Sequence, residues 1–195
     1  RNKAQYPVAV KKGRAYAGFY RAGTHDVVEN ARCRILPEEI DAAKDVVIDY
    51  VNQYRVSVYD ETTGKGLLRH VVIRSNRRGE TMVLLVVTSD KMPEIPTLAG
   101  NLQKAVPGFR ALHLSVNRAR NNVILGSSSR KLWGADTIEE TLLGLTFEIA
   151  PLSFFQVNPD QCERLYECAV RLAALQPEDV VVDAYAGAGT ISLCM

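Results

Sequence analysis

Apolar and polar residues alternate in short runs along most of the chain, a pattern that predicts strands separated by turns, with a few helices between them. Residues 6–10 and 15–20 read as strands around the turn Lys11-Lys12-Gly13-Arg14, and residues 26–28 as a third. A helix follows. Pro37 falls at its start and Glu38 and Glu39 in its first turn, where the helix dipole favours anions. Its apolar stripe is Ile40, Ala43, Val47, Tyr50, Val51 and Tyr54. Residues 66–74 and 80–88 then form a hairpin around Ser75-Asn76-Arg77-Arg78-Gly79, and Met82 to Val87 is apolar at every position, as a central strand would be. Residues 93–105 read as a weaker helix and 110–117 as an alternating strand. Three more short strands are expected at 122–125, 137–143 and 145–149.

The pattern changes at Ala150-Pro151. Asn158 caps a second well-marked helix, with Pro159 in its first turn and Gln161 completing a capping box. Its expected buried stripe is Cys162, Leu165, Tyr166, Ala169, Val170 and Ala173. Val180-Val181-Val182-Asp183-Ala184 has the composition of a buried parallel strand, and it runs through a glycine loop into an apolar helix. The fold expected is an α+β domain of hairpins with one or two covering helices over residues 1–152. The truncated start of an α/β Rossmann-like domain follows over residues 153–195. The chain begins without Met and stops at Cys194-Met195, so the expectation is a fragment.

Composition changes this picture little; the distribution of charge changes it more. Net charge is +2, but residues 1–135 hold 22 Lys/Arg against 12 Asp/Glu, and residues 136–195 hold 2 against 10. A basic body joined to an acidic segment suggests a polyanionic partner, with two oppositely charged solvated surfaces as the alternative. No apolar run approaches the roughly 18 residues of a membrane span, and the N-terminus carries no secretory signal. Four cysteines without CxxC spacing fit a reducing, cytoplasmic setting.

The candidate chemistry centres on Asp183-Ala184-Tyr185-Ala186-Gly187-Ala188-Gly189-Thr190. Glycines after a strand let a ligand approach the backbone, and the following helix N-terminus offers free N–H groups. A dinucleotide fingerprint would want a third glycine where Ser192 stands. The acidic residue before the loop matches better the first motif of S-adenosylmethionine-dependent methyltransferases. A purely structural turn, or a nucleotide-binding loop, remains open on these residues alone.

Ser153-Phe154-Phe155-Gln156-Val157-Asn158, together with the helix and loop that follow, resembles the RNA (uracil-5-)-methyltransferase family. Arg1-Asn2-Lys3-Ala4-Gln5-Tyr6-Pro7 and the stretch from Gly18-Phe19-Tyr20 to Cys33 are similar to that family's central domain, leaning to its ribosomal RNA branch rather than its transfer RNA branch. The resemblance implies S-adenosylmethionine as cofactor, contacted by Gln156, Asp183, Tyr185, Gly187, Gly189 and Thr190. Thr190 stands where Asn is common. Phe154 matches an aromatic near the catalytic pocket, with core packing as its alternative.

The reaction implied is methylation of carbon-5 of a uridine in RNA. A Cys thiolate adds to carbon-6, the resulting enolate attacks the cofactor's methyl group, and a base then removes the carbon-5 proton and expels the Cys. The family's nucleophile and base match no position here, so the chain alone is expected to be inactive. Cys194 is a poor candidate for that nucleophile, and Cys162 and Cys168 read as helix-packing residues. Cys33 matches the fourth ligand of a four-iron four-sulfur cluster found in some members; one Cys cannot hold a cluster, so none is expected in this chain.

Arg118 and Arg120, flanking a turn, are the leading candidates to meet RNA phosphates, with Arg69, His70, Arg74, Arg77, Arg78, Arg130 and Lys131 behind them. An RNA-binding module without catalysis is the alternative function. An unfinished parallel sheet would also favour self-association through its open edge.

Overall fold

The computed structural model describes all 195 residues. Its centre is a seven-stranded sheet in the order β3-β2-β1-β4-β5-β6-β7. The strands are β1 (Lys3–Lys11), β2 (Arg14–Tyr20), β3 (Val27–Glu29), β4 (Leu68–Ser75), β5 (Thr81–Val87), β6 (Phe109–Val116) and β7 (Arg130–Gly134). Neighbours are antiparallel except β5 and β6, whose parallel pairing requires a crossover that α2 (Ile95–Ala105) supplies. The helix α1 (Glu38–Gln53) lies between β3 and β4 in sequence.

The hydrophobic pattern sets the two faces of the sheet. Val71, Ile73, Val83, Leu85 and Val87 point into a core shared with Ile40, Val47 and Tyr50 of α1 and Leu98 and Leu102 of α2. Val72, Leu84 and Val86 point the other way, against Ile124, Leu125 and Leu152. Covered on both faces, β4 and β5 are buried at every residue. That double burial explains the uninterrupted apolar run in β5.

On the second face a smaller core forms. A separate hairpin, β8 (Ile138–Leu142) and β9 (Leu145–Ile149), packs Ile138, Leu142, Phe147 and Ile149 against Met82, Ala111 and Phe155. Helix α3 (Pro159–Ala173) adds Cys162 and Tyr166 to the same core. Asn158 caps it, its side chain accepting from the Gln161 N–H at 3.3 Å. Residues on both sides of position 152 therefore share one apolar cluster.

Three local expectations are corrected. Residues 122–125 form no strand, because their carbonyls are taken by a side chain: Asn117 Nδ2 donates to Val123 O and Ile124 O at 2.6 and 3.0 Å. The edge strand β7 was hidden by its polar residues, and what fixes it is Trp133 stacked on Phe109 with centroids 4.8 Å apart. Residues 180–184 form no strand either. Val180 and Val182 are 91% and 84% exposed, since the chain supplies no neighbouring strand for them to pair with.

Candidate cofactor half-site and RNA-facing surface

Three of the residues expected to meet a cofactor, Thr190, Asp183 and Tyr185, are tied together by hydrogen bonds that involve Tyr166 and Ser192, which the hydrophobic pattern assigned to packing or left unassigned. Tyr166 was read as a stripe residue on α3. Its hydroxyl lies 2.8 Å from Thr190 Oγ1, so it joins α3 to the end of the glycine loop. Burial raises the Tyr166 hydroxyl above its usual range, which keeps it a neutral donor. Asp183 accepts from the Ser192 hydroxyl at 2.5 Å and from the Tyr185 N–H at 3.1 Å, drawing the loop back on itself.

Gly187 and Gly189 both adopt positive φ, +56° and +70°. Nothing but Tyr185 O and the Leu193 side chain comes within 4 Å of a Cβ built on them, so their backbone is open to a ligand. The helix that follows, α4 (Thr190–Cys194), is only five residues long. Tyr185 is 95% exposed and Phe154 is 74% exposed, whereas Phe155 is buried in the second core. The loop thus presents accessible backbone beside the Tyr166–Thr190 hydroxyl pair. These residues fit S-adenosylmethionine in donor chemistry and in loop conformation.

The cysteines do not fit a metal. No group of three or more His, Cys, Asp or Glu side chains converges anywhere in the chain. Cys33 donates its N–H to Asp41 Oδ2 at 2.9 Å, packed between β3 and α1, and an iron–sulfur cluster has no further ligand beside it. Burial raises the thiols of Cys162 and Cys194, which disfavours the nucleophilic thiolate in both.

Several of the basic residues expected to face RNA are buried or paired. Arg69, His70 and Arg74 are buried, because β4 is covered on both faces, although Arg69 and His70 border a cleft beside the strand. Arg74 donates to Ser153 O at 3.1 Å and, by burial, falls to about 10. Arg77 and Arg78 are spent on the acidic segment: Arg77 bonds Asp160 and Glu163 at 2.8 Å, and Arg78 bonds Glu139 at 2.8 Å. The opposed charges of the two halves thus partly neutralise each other at their junction. Arg118, Arg120, Arg130 and Lys131 stay exposed.

Glu163 makes a testable link across that junction. The Arg77 guanidinium, with help from the Leu143 N–H, pulls its carboxyl down to about 2. The folded value lies below the unfolded one, so the stabilisation is complete above the ordinary carboxylate range and is lost as pH falls toward 2. Thermal unfolding followed from pH 5 to pH 2 is expected to show this acid-sensitive step, and Glu163→Gln is expected to flatten it.

The fold is a mixed sheet with covering helices, followed by a capped helix and an open glycine loop, and comparison with known proteins shows what it resembles. No protein-family model matches the chain. A Clostridium tetani protein named an uncharacterized RNA methyltransferase is 39% identical over 194 residues, 99% of this chain and 42% of the relative. Proteins of the same description from Listeria innocua and Caldanaerobacter subterraneus are 38% and 40% identical, over 100% and 99% of this chain and 43% of each relative. In three dimensions the chain resembles the Pyrococcus abyssi tRNA (uracil-54, C5)-methyltransferase, solved with S-adenosyl-L-homocysteine. The TM-score is 0.78 and the identity 24%, over 100% of this chain and 45% of that one, which establishes a shared fold. Over its whole length the chain is similar to proteins named RNA methyltransferases, and it spans less than half the length of the curated relatives it matches.

Proposed function

We propose that this chain is part of an RNA (uracil-5-)-methyltransferase that uses S-adenosylmethionine to methylate carbon-5 of a uridine in ribosomal RNA. The observation that carries the proposal is the Tyr166 hydroxyl tying helix α3 to Thr190 beside an open, positive-φ glycine loop. The solved relative's S-adenosyl-L-homocysteine supports the choice of cofactor, and the curated relatives' name supports RNA as substrate.

Bound against that loop, the cofactor would supply an electrophilic methyl group. Gln156 and Thr190 would hold it through hydrogen bonds, Asp183 would keep the loop in shape through Ser192, and Tyr185 would give it an apolar surface. Phe154, exposed beside Gln156, would border the place where the uridine sits. Arg118 and Arg120 would meet phosphates, and association would then weaken steeply with salt. The unpaired cysteines support a reducing, cytoplasmic setting. No helix is long and apolar enough to cross a membrane.

Adduct formation at carbon-6 needs a thiolate and a base, and the raised thiols of Cys162 and Cys194 offer neither. The 195-residue chain alone is therefore expected to transfer no methyl group to uridine-containing RNA. Turnover by this chain would contradict that. A whole protein containing it is expected to label carbon-5 of uridine in ribosomal RNA from radioactive cofactor. Label on the ribose or on another base would overturn the assignment, and label on transfer RNA alone would move it to the other branch.

The exposed Val180, Val182 and Tyr185 also support self-association of the chain by itself, which sedimentation would read directly.

A further inference from the structure

The sheet opens at one defined point. β1 pairs with β4 from Lys3 to Pro7 and with β2 from Val8 onward. Pro7 stands opposite His70 and has no N–H to extend the ladder, so β1 and β4 part there. The segment 58–62 borders the gap, leaving a cavity of about 480 Å³. This volume is in the range of small-molecule sites.

Three features of β4 are unexplained by packing alone. The register shifts between Leu68 and His70, making Arg69 the extra residue of a bulge, a device that re-aims side chains. His70 is 5% exposed and lines the cavity, yet neither ring nitrogen has a hydrogen-bond partner. Arg69 Nε is equally unpartnered, although Arg69 Nη1 is fixed by Asn117 O and Ala119 O at 2.9 and 2.8 Å. Buried polar groups left unsatisfied are costly, and two adjacent ones facing a cavity point to a ligand. Burial and the Arg69 charge lower His70 to about 4, so it is a neutral ring with one donor and one acceptor.

The walls describe that ligand. Tyr20 and His25 stack at 5.1 Å, and Arg69 lies over the Tyr59 ring at 4.6 Å, so planar groups border the space. Glu61 presents its carboxylate there, bonded at present to His25 and Tyr20. A smaller adjoining cavity of about 190 Å³ shares Tyr59, Glu61 and Arg69 and adds Arg120, Asn121 and Asn122. Arg120 rests against Gly64, whose φ of +69° and missing Cβ both make room for the guanidinium. Guanine is the base whose edges suit this set, with two adjacent N–H donors for a carboxylate and two acceptors for an arginine.

We propose that this cleft takes one unstacked guanine nucleotide of single-stranded RNA. Glu61 accepts from the N1 and N2 edge, Arg69 and His70 serve the O6 and N7 edge, and Arg120 meets the phosphate. The proposal rests on the RNA-binding reading above and gives that reading a second contact, separate from the cofactor half-site. Splayed bases held on aromatic and arginine planes are the usual means of recognising single-stranded RNA.

The chain's three histidines report on it. His25 and His70 border the cavity, while His113 bonds Ala135 O elsewhere in the sheet. Titration with guanosine 5′-monophosphate is expected to move the NMR ring signals of His25 and His70 and leave His113 in place. The adenosine, cytidine and uridine monophosphates should bind at least about 10-fold more weakly, the effect of losing one charge-assisted pair. Glu61→Gln should weaken the guanosine nucleotide by about 10- to 100-fold, with an unchanged His113 signal showing that the fold persists. No shift with any nucleotide, or equal shifts with all four, overturns the proposal. Binding of a guanine-containing oligonucleotide that is undiminished in Glu61→Gln overturns this site and leaves the RNA-binding reading standing. Nucleotide shifts without oligonucleotide binding at low salt would overturn the RNA contact and keep a guanine site.

Discussion

Replacing Lys44 with methionine is expected to lower the unfolding free energy by about 3–5 kcal/mol, the usual cost of breaking a buried ion pair from one side. Lys44 and Asp41 are 3% and 2% exposed, and their charged groups stand 3.6 Å apart on α1. The Lys44 ammonium donates to Asn30 O at 2.6 Å and Ala31 O at 3.0 Å, while Asp41 accepts from Tyr6 OH at 3.2 Å and the Cys33 N–H. Three of the bonds that tether the segment between β3 and α1, at Asn30, Ala31 and Cys33, thus meet in this pair. Methionine fills the space of the lysine stem but strands the carboxylate and two carbonyls. Replacing both residues with apolar ones of similar volume should recover much of the loss, because the desolvation of two charges disappears with them. Denaturant unfolding of the two variants checks this, and a single-variant loss under about 0.5 kcal/mol would show that the pair is solvated after all.

That pair also marks where the sequence is hard to read. The stripe of Ile40, Ala43, Val47, Tyr50 and Val51 locates α1 and its buried face, since a period of 3.6 residues leaves one solution. Asp41 and Lys44 fall next to the stripe and look like solvated charges; only the segment folding over them from β3 buries them. The same difficulty recurs in β4. Leu68 to Ser75 mixes apolar and basic residues, which reads as one buried and one wet face, until β8–β9 and residues 117–126 cover the second face.

For the site, motif and periodicity contributed separately. The motif residues Gln156, Asp183 and Thr190 carry a local signature in their neighbours, so they could be named without coordinates. Tyr166 carries none. Its i, i+4 relation to Cys162 predicts packing, which it performs, and only the approach of Thr190 from 24 positions away shows the hydroxyl's second use. The unpaired stretch 180–184 shows the limit in the other direction. Composition can predict that a segment suits a parallel strand, but pairing needs a neighbour, and local sequence cannot supply one.

Phe155→Ala is expected to cost about 3–5 kcal/mol, and the loss should fall on one part of the molecule. Phe155 is 2% exposed and lies 5.8 Å from Phe147, ring to ring, in the nine-residue core that joins β8–β9, α3 and the back of the sheet. The main core, 24 buried residues between the sheet and its two long helices, does not include it. A cavity in the smaller cluster should therefore release α3 by local opening while the sheet stays closed. Amide hydrogen exchange is expected to accelerate along Pro159–Ala173 and remain slow in β4, β5 and β6. Tyr166 would leave with α3, breaking its bond to Thr190, so the proposed cofactor wall should be lost in the same step. The neighbouring Phe154→Ala provides the control. That ring is 74% exposed, and its removal should change stability by less than about 0.5 kcal/mol. Equal losses for the two phenylalanines, or faster exchange throughout the sheet, would mean that the second core is not a separate cooperative unit. Faster exchange confined to α3 would show that the proposed cofactor wall depends on a contact between one aromatic ring and the back of the sheet.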